Sequence, residues 1–249
     1  MAKKRAVVGP DLTPDWLEKR RGIMGEIDKQ LIRGLREPGK GLTLDDLQKR
    51  VVEHRNPFRS SVAMDISETL TPQQLFYRQF FGMELDFSQV PIPQHQPGFD
   101  RLIIVAQGLT PNRVYEVCAQ HFPCWRYNND LDTALDWDKE ERNPKDGPYA
   151  IWVRDRQEAD EELKNLSADD IKTRCLTTET LTERELHGLM YWSETKKHPD
   201  VDNITLCSGS RSRDGGVPGV DWYGGRLKVL WYDSDDASDG LRSRQVVRS

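Results

Sequence analysis

The stretch that most confines this chain runs from residue 220 to 231 and reads Val-Asp-Trp-Tyr-Gly-Gly-Arg-Leu-Lys-Val-Leu-Trp. Val220, Trp222, Leu227, Val229 and Trp231 alternate with Asp221, Tyr223, Arg226, Lys228 and Leu230 on either side of Gly224-Gly225. Alternation of period two is the mark of a half-buried strand, and a Gly-Gly pair supplies the positive φ that a two-residue turn requires. The pattern predicts a β-hairpin with Val220 opposite Val229 and Trp222 opposite Leu227 on an apolar face. The other face then pairs Tyr223 with Arg226 and Asp221 with Lys228. Two readings of that mixed face stand side by side: an ordinary solvated sheet face, or a contact surface on a stiff scaffold. Nothing in it suggests a reaction.

The 249 residues are enough for one or two domains, with 31% charged residues and a net charge of −5. No apolar run approaches the ~18 residues of a spanning helix. Met1-Ala-Lys-Lys-Arg5 is basic, yet no apolar region follows before Asp11 and Pro14, so neither a secretory leader nor a membrane location is expected and the compartment is read as cytoplasmic. Cys118, Cys124, Cys175 and Cys207 form no Cys-x-x-Cys pair; without export signals they read as reduced thiols, with zinc or a disulfide as the other readings. Residues 1–60 hold fourteen Lys/Arg and nine Asp/Glu, a balance of +5 that leaves −10 for the remainder. These cations are mixed with Asp15, Glu18, Glu26, Asp28 and Asp45, which favours solvated helix faces over a nucleic-acid arm.

Start and stop signals divide the chain into a helical N-terminal region, residues 1–97, and an α+β domain, residues 98–249. Thr13-Pro14-Asp15 opens an amphipathic helix carrying Trp16, Ile23, Ile27, Leu31 and Leu35, ended near Pro38-Gly39. A second starts at Thr43 with Asp46 completing the cap, and breaks at Asn56-Pro57. Thr71-Pro72 starts a third with Leu75, Phe76, Phe80 and Phe81, an aromatic stripe for a core or for a sister chain. Residues 90–98, with prolines at 91, 93 and 97, read as an extended linker because proline forbids helix and donates nothing to a ladder.

Beyond it, Arg101-Leu-Ile-Ile-Val105 is a buried strand, and Gly108-Leu-Thr-Pro111 turns it into a helix carrying Val114, Val117, Cys118 and Phe122. A strand, a glycine and a capped helix suit a phosphate, but one glycine without the dinucleotide or P-loop pattern reads as packing. Residues 149–155 form the next strand. Ser167 with Asp170, and Thr182 with Glu185, cap two more helices, the second burying Leu186, Leu189 and Met190. Short strands follow from Asn203. This order favours a mixed sheet with two packed helices and a C-terminal hairpin.

No catalytic constellation emerges. His54, His95, His121, His187 and His198 share no metal-ligand spacing, and Ser208-Gly-Ser210 lacks the Gly-x-Ser-x-Gly elbow. Asp233, Asp235, Asp236 and Asp239 are dense enough for a loosely held calcium ion, although such loops are more often only solvated. No cofactor and no metal is expected.

The segments Cys207-Ser-Gly-Ser-Arg211, Val217-Pro218, Trp222, Trp231-Tyr232 and the closing Leu241-Arg-Ser-Arg-Gln-Val-Val247 resemble the C-terminal end of variable proteins from diversity-generating retroelements. In that family a Gly-Gly-Ser-Trp-like element precedes the diversified stretch and a Gly-Phe-Arg-x-Val-like element closes the domain. Here they read Ser208-Gly-Ser-Arg211 and Leu241-Arg-Ser-Arg244, departures from both. Residues 98–108 and 149–156 resemble bacterial proteins that differ from one another mainly at alternate C-terminal positions. The resemblance covers residues 100–247 and implies a C-type lectin-like fold of the subclass shared with formylglycine-generating enzymes, preceded by the helical region.

It further implies a non-enzymatic, receptor-like binding protein whose C-terminal surface is hypervariable. Val220, Trp222, Leu227, Val229 and Trp231 face the core and stay fixed. The ligand-facing set is Arg213, Gly216, Gly219, Asp221, Tyr223, Lys228, Leu230, Tyr232, Asp236, Ser238 and Gly240. The expected partner is a protein or other macromolecule, with the N-terminal helices available for self-association; glycan specificity is not implied. Two other classes are weighed against this. An enzyme related to formylglycine-generating enzymes needs a reactive cysteine pair, and only Cys207 lies near the face. A nucleic-acid accessory protein would act through the basic helices of residues 16–59.

Overall fold

A computed structural model describes residues 66–249. The chain separates into two units, residues 1–64 and 65–249, and the described residues belong to the second. The helices expected over 16–35 and 43–57, with the basic segment and its proposed roles, lie outside the described residues.

Helix α1, Ile66–Phe81, begins five residues before the Thr71-Pro72 signal and carries Pro72 inside it. Leu75, expected in its apolar stripe, is 57% exposed, whereas Tyr77 is fully buried beside Phe76 and Phe81. The reason is polar. Strand β1, Arg101–Val105, is the outer strand of a three-stranded antiparallel sheet ordered β1-β3-β8, where β3 is Tyr149–Val153 and β8 is Val246–Val247. Its free edge is closed by α1 side chains. Gln73 Nε2 donates to Leu102 O at 2.6 Å, Tyr77 Oη donates to Ile104 O at 2.8 Å, and Ala106 N donates back to Tyr77 Oη at 3.1 Å. Buried backbone groups without a ladder partner must find one elsewhere, and an uncovered edge invites pairing with other chains.

The proline-rich stretch is no linker. Phe87, Val90 and Phe99 are buried in the same core as β1 and β3, and Trp152 Nε1 donates to Pro93 O at 2.9 Å. Proline removes donors but leaves carbonyls and apolar rings, so an extended, ladder-free chain still packs well. The boundary therefore falls before α1, and not at residue 97.

Two further helices pack side by side beneath the sheets. Helix α2, Pro111–His121, is capped by Thr110 and buries Val114, Tyr115, Val117 and Cys118. After the four-residue α3, Leu131–Ala134, and α4, Ala168–Thr173 with its Ser167/Asp170 capping box, comes α5, Leu181–Thr195. Helix α5 contacts α2, β1 and β5. Its capping box is Thr180 with Glu183, two residues before the expected pair. The sequence Thr180-Leu-Thr-Glu-Arg-Glu185 offers two equivalent Thr-x-x-Glu registers, and distant groups select the first. Ser210 Oγ accepts from Leu181 N at 2.8 Å, and Arg142 chelates Glu183 at 2.6 and 2.8 Å.

The second sheet is mixed and five-stranded, ordered β2-β6-β5-β4-β7. It comprises β2 (Cys124–Arg126), β4 (Ile204–Leu206), β5 (Val217–Tyr223), β6 (Arg226–Tyr232) and β7 (Leu241–Arg242). Helices and sheets together make an α+β unit, with two sheets where one was expected. Among the described residues no helix is long and apolar enough to cross a membrane.

Tyr77→Phe removes the hydroxyl that serves both Ile104 O and Ala106 N. Stranding those buried groups is expected to cost about 1–3 kcal/mol. Urea denaturation should show a lower midpoint at unchanged slope.

Candidate functional site

The hairpin forms in the register that its alternation predicts. Val220 pairs with Val229, Asp221 with Lys228, Trp222 with Leu227 and Tyr223 with Arg226. Gly224 and Gly225 sit at φ +63° and +75°, both left-handed, as a turn of type I′ demands. Val220, Leu227 and Val229 are buried; Trp222 and Trp231 are half-buried against the same core. Trp222 lies flat on the His198 ring, with centroids 3.3 Å apart.

The outward row is less uniform than expected. Tyr223 is 65% exposed, and Lys228 Nζ lies 4.3 Å from the centre of its ring. Leu230 is half-buried. Gly219 and Asp221, both expected to face a ligand, are buried instead. A Cβ on Gly219 would lie 2.4 Å from Tyr232 Cε2 and 3.1 Å from Ile204 Cγ2, so the tyrosine ring occupies the space that a side chain would need. Tyr232 in turn joins Ala168 of α4, Leu206 and Val217 in a small apolar cluster. Ala168 of α4 therefore packs on this face at the end where Val217 and Tyr232 pair. Burial raises the Asp221 carboxyl, with Lys228 across the ladder opposing the shift.

The face gains on its other side. Strand β2 runs parallel to β6 with Trp125 beside Lys228, and Trp125 and Tyr127 are 38% and 71% exposed. These residues were missed, although Cys124-Trp-Arg-Tyr127 carries the same alternation in a shorter run.

At the far end of the hairpin is a cavity of about 540 Å³. Four expected site residues meet there: Arg213 and Gly216 from the loop before β5, Tyr232 from β6 and Asp236 just after it. Tyr127, Asn128, Trp231, Asp214 and Asp233 complete much of the wall. Tyr223, Lys228 and Leu230 remain on the open sheet, and Ser238 and Gly240 lie apart, exposed and half-buried. The loop is held firmly, since Ser212 N donates to Gly216 O at 2.8 Å, Arg213 N to Ala134 O at 3.2 Å, and Asp136 N to Arg211 O at 2.8 Å. The Ser212 hydroxyl donates to Asp214 and holds that carboxyl below its ordinary range. The aspartates proposed for calcium do not converge. Asp236 Oδ2 accepts from Asp233 N at 2.9 Å, and among the described residues no group of three His, Cys, Asp or Glu could share a metal ion.

Beneath the face lies a buried polar layer. Asp200, fully buried at φ +56°, receives Arg184 Nε at 2.9 Å, Arg244 Nη2 at 2.6 Å and the Thr205 hydroxyl. Burial alone would raise its carboxyl, but Arg244 and Arg184 outweigh burial and hold it low. The two C-terminal motif segments meet here: Ser208 Oγ and Ser243 Oγ are 2.7 Å apart. A Cβ on Gly209 would lie 2.8 Å from Thr178 O, which leaves room for glycine alone. Cys207 is buried, and burial pushes its thiol well up, away from the thiolate that a nucleophile needs. Comparison with protein-family models, curated proteins and solved structures finds no match.

Gly219→Ala should force the Tyr232 ring from its seat at a cost of about 1–3 kcal/mol. In a double-mutant cycle with Tyr232→Ala, much of that cost should vanish; additive effects would show that the ring does not fill the glycine's space.

Burial lifts the Glu140 carboxyl to about 8 from an ordinary 4.5, opposed by the Ser210 hydroxyl at 2.9 Å. The folded chain thus keeps a proton that the unfolded chain releases. This contribution is complete below about pH 4.5 and fades as pH rises towards 8. Glu140→Gln is expected to flatten the fall in Tm over that window, measured by thermal melts in steps of pH.

Proposed function

We propose that this chain is a non-enzymatic binding protein whose C-terminal surface is diversified by a retroelement, carried on a C-type lectin-like domain. One observation carries the reading. Tyr223, Arg226, Lys228 and Leu230 stand outward on strands whose opposite row, Val220, Leu227 and Val229, is buried. Strand alternation thereby separates recognition from folding residue by residue. The α+β architecture, with α2 and α5 packed together and a C-terminal hairpin, is compatible with the lectin-like part of the reading.

The ligand is a macromolecule, met by aromatic and charged groups on a stiff platform. Such groups bind at low entropic cost because little is immobilised on contact. The usable area is revised by the burial of Gly219 and Asp221: it runs from Tyr223 and Lys228 across to Trp125 and Tyr127, and down to the cavity. The enzyme alternative is weakened by the buried, raised thiol of Cys207. The nucleic-acid alternative rests on residues 16–59 and draws nothing from the described residues.

Two measurements test the proposal. Deep sequencing of the codons for residues 207–247 in a growing population should find substitutions at Tyr223, Lys228 and Leu230 but not at Val220, Leu227 or Val229. A near-copy of those codons, differing at adenines, should lie beside a reverse transcriptase gene. Uniform substitution, or no near-copy, would sink the retroelement reading. Separately, a library randomised at the exposed Tyr223 and Arg226 should keep its melting temperature within a few degrees, since exposed changes usually cost under about 0.5 kcal/mol each.

A further inference from the structure

We infer that the cavity at the end of the hairpin receives an organic cation, the guanidinium or ammonium of a partner protein's arginine or lysine side chain. The inference rests on the reading of this face as a binding surface and names what its deepest part recognises. Shape comes first. A volume of about 540 Å³ lies within the range of roughly 300–1,000 Å³ typical of small-ligand sites, ample for one long side chain.

The walls supply the chemistry. Tyr127, Trp231 and Tyr232 are among the residues that line the cavity, with Tyr127 71% exposed, and an aromatic face attracts a cation through its quadrupole. The same surface already pairs a cation with a ring at Lys228 and Tyr223. Charge points the same way, because Asp214, Asp233 and Asp236 line the cavity against Arg213 alone. Among the described residues none of the three aspartates forms an ion pair, whereas Arg213 is close enough to Asp136 to help lower that carboxyl. An anion entering here would meet an excess of carboxylates. A bare metal ion would lack a converging donor set among the described residues. A planar or tetrahedral organic cation is served by both the rings and the acids, and the basic side chains of a protein present one at the end of an apolar stem suited to those rings.

The test uses the full chain and three capped amino-acid probes that differ in side-chain charge: Nα-acetyl-arginine amide, Nα-acetyl-glutamine amide and Nα-acetyl-glutamate amide. The readout is the Trp231 indole N–H resonance, assigned by its loss in Trp231→Phe. Saturable shifts with the arginine probe, absent with the glutamate probe and weakened by salt, are expected. Asp233→Asn with Asp236→Asn should weaken binding about tenfold, the loss of charge-assisted contacts. The amide at 236 still offers an acceptor to Asp233 N, so the loop need not open. Arg213→Gln, on an exposed side chain, should tighten binding, which a purely structural role would not produce. Agmatine serves as the free small-molecule cation: binding more than tenfold tighter than the arginine probe would overturn assignment to a protein side chain. Saturation by the glutamate or glutamine probe instead overturns the cation and leaves the face as a binding surface. Shifts from no probe overturn the cation site, and leave the open sheet from Tyr223 to Trp125 to be judged by the sequencing and library measurements.

Discussion

Asp200 is the constraint on which the rest of the described unit depends. Its carboxylate lies between two arginines that reach it from α5 and from the chain's last segment, and its carbonyl accepts from Trp222 N at 2.8 Å. Arg244 spends its remaining donors on the carbonyls of Arg156 and Gln157 at 3.1 and 2.8 Å, and on Thr205 Oγ1 at 3.1 Å. One residue thus joins the helix layer, the five-stranded sheet, the hairpin and the closing segment. Taking three charges out of water is costly, and the cost is offset only when nearly every donor and acceptor is matched. Losing one arm would therefore leave a buried charge on another without its partner.

That rigidity beneath explains how the surface above can be divided. The buried row of the hairpin and the ionic layer fix the strands, so the outward row adds little to stability. The division is uneven across the face, however. Away from the turn the outward positions are used for packing, by Tyr232 over Gly219 and by Ala168 of α4 against Val217 and Tyr232, whereas Tyr223 and Arg226 beside the turn and Trp125 on β2 are exposed. A strand's alternation states which side a residue faces, and the neighbouring layer decides whether that side is wet.

This marks how far the sequence could be read. The hairpin's register was legible because period two and Gly224-Gly225 act within twelve residues. The helix caps at Thr110 and Ser167 were legible for the same reason, whereas Thr180 and Thr182 offered equal local signals that only Ser210 and Arg142 distinguish. The burial of Asp221 depends on packing between elements distant in the chain, and was illegible. Helix α5 was the hardest case. Leu186, Leu189 and Met190 form the expected buried stripe, yet Thr182, Glu183, Arg184, Glu185 and His187 are buried as well, because their surroundings include Asp200, Arg142 and Glu179, which no periodicity can reveal. Proline spacing misled in the opposite direction, since absent donors say nothing about where rings and carbonyls pack. Of the cavity, Arg213, Gly216, Tyr232 and Asp236 were in the expected set, while Asp214 and Trp231 were not, and Tyr127 was missed as part of a run too short to stand out.

Arg244 and β8 also impose an order in time. A ribosome delivers residues 243–247 after everything they pack against, so a nascent chain carries Arg184 and Asp200 with their third partner still missing and the β3 edge uncovered. The two arginines and the carboxylate can meet only once Arg244 has left the exit tunnel. A chain that stopped before residue 243 would leave Asp200 without Arg244 and β3 without β8. The ionic layer is thus completed after the hairpin of β5 and β6 has been made.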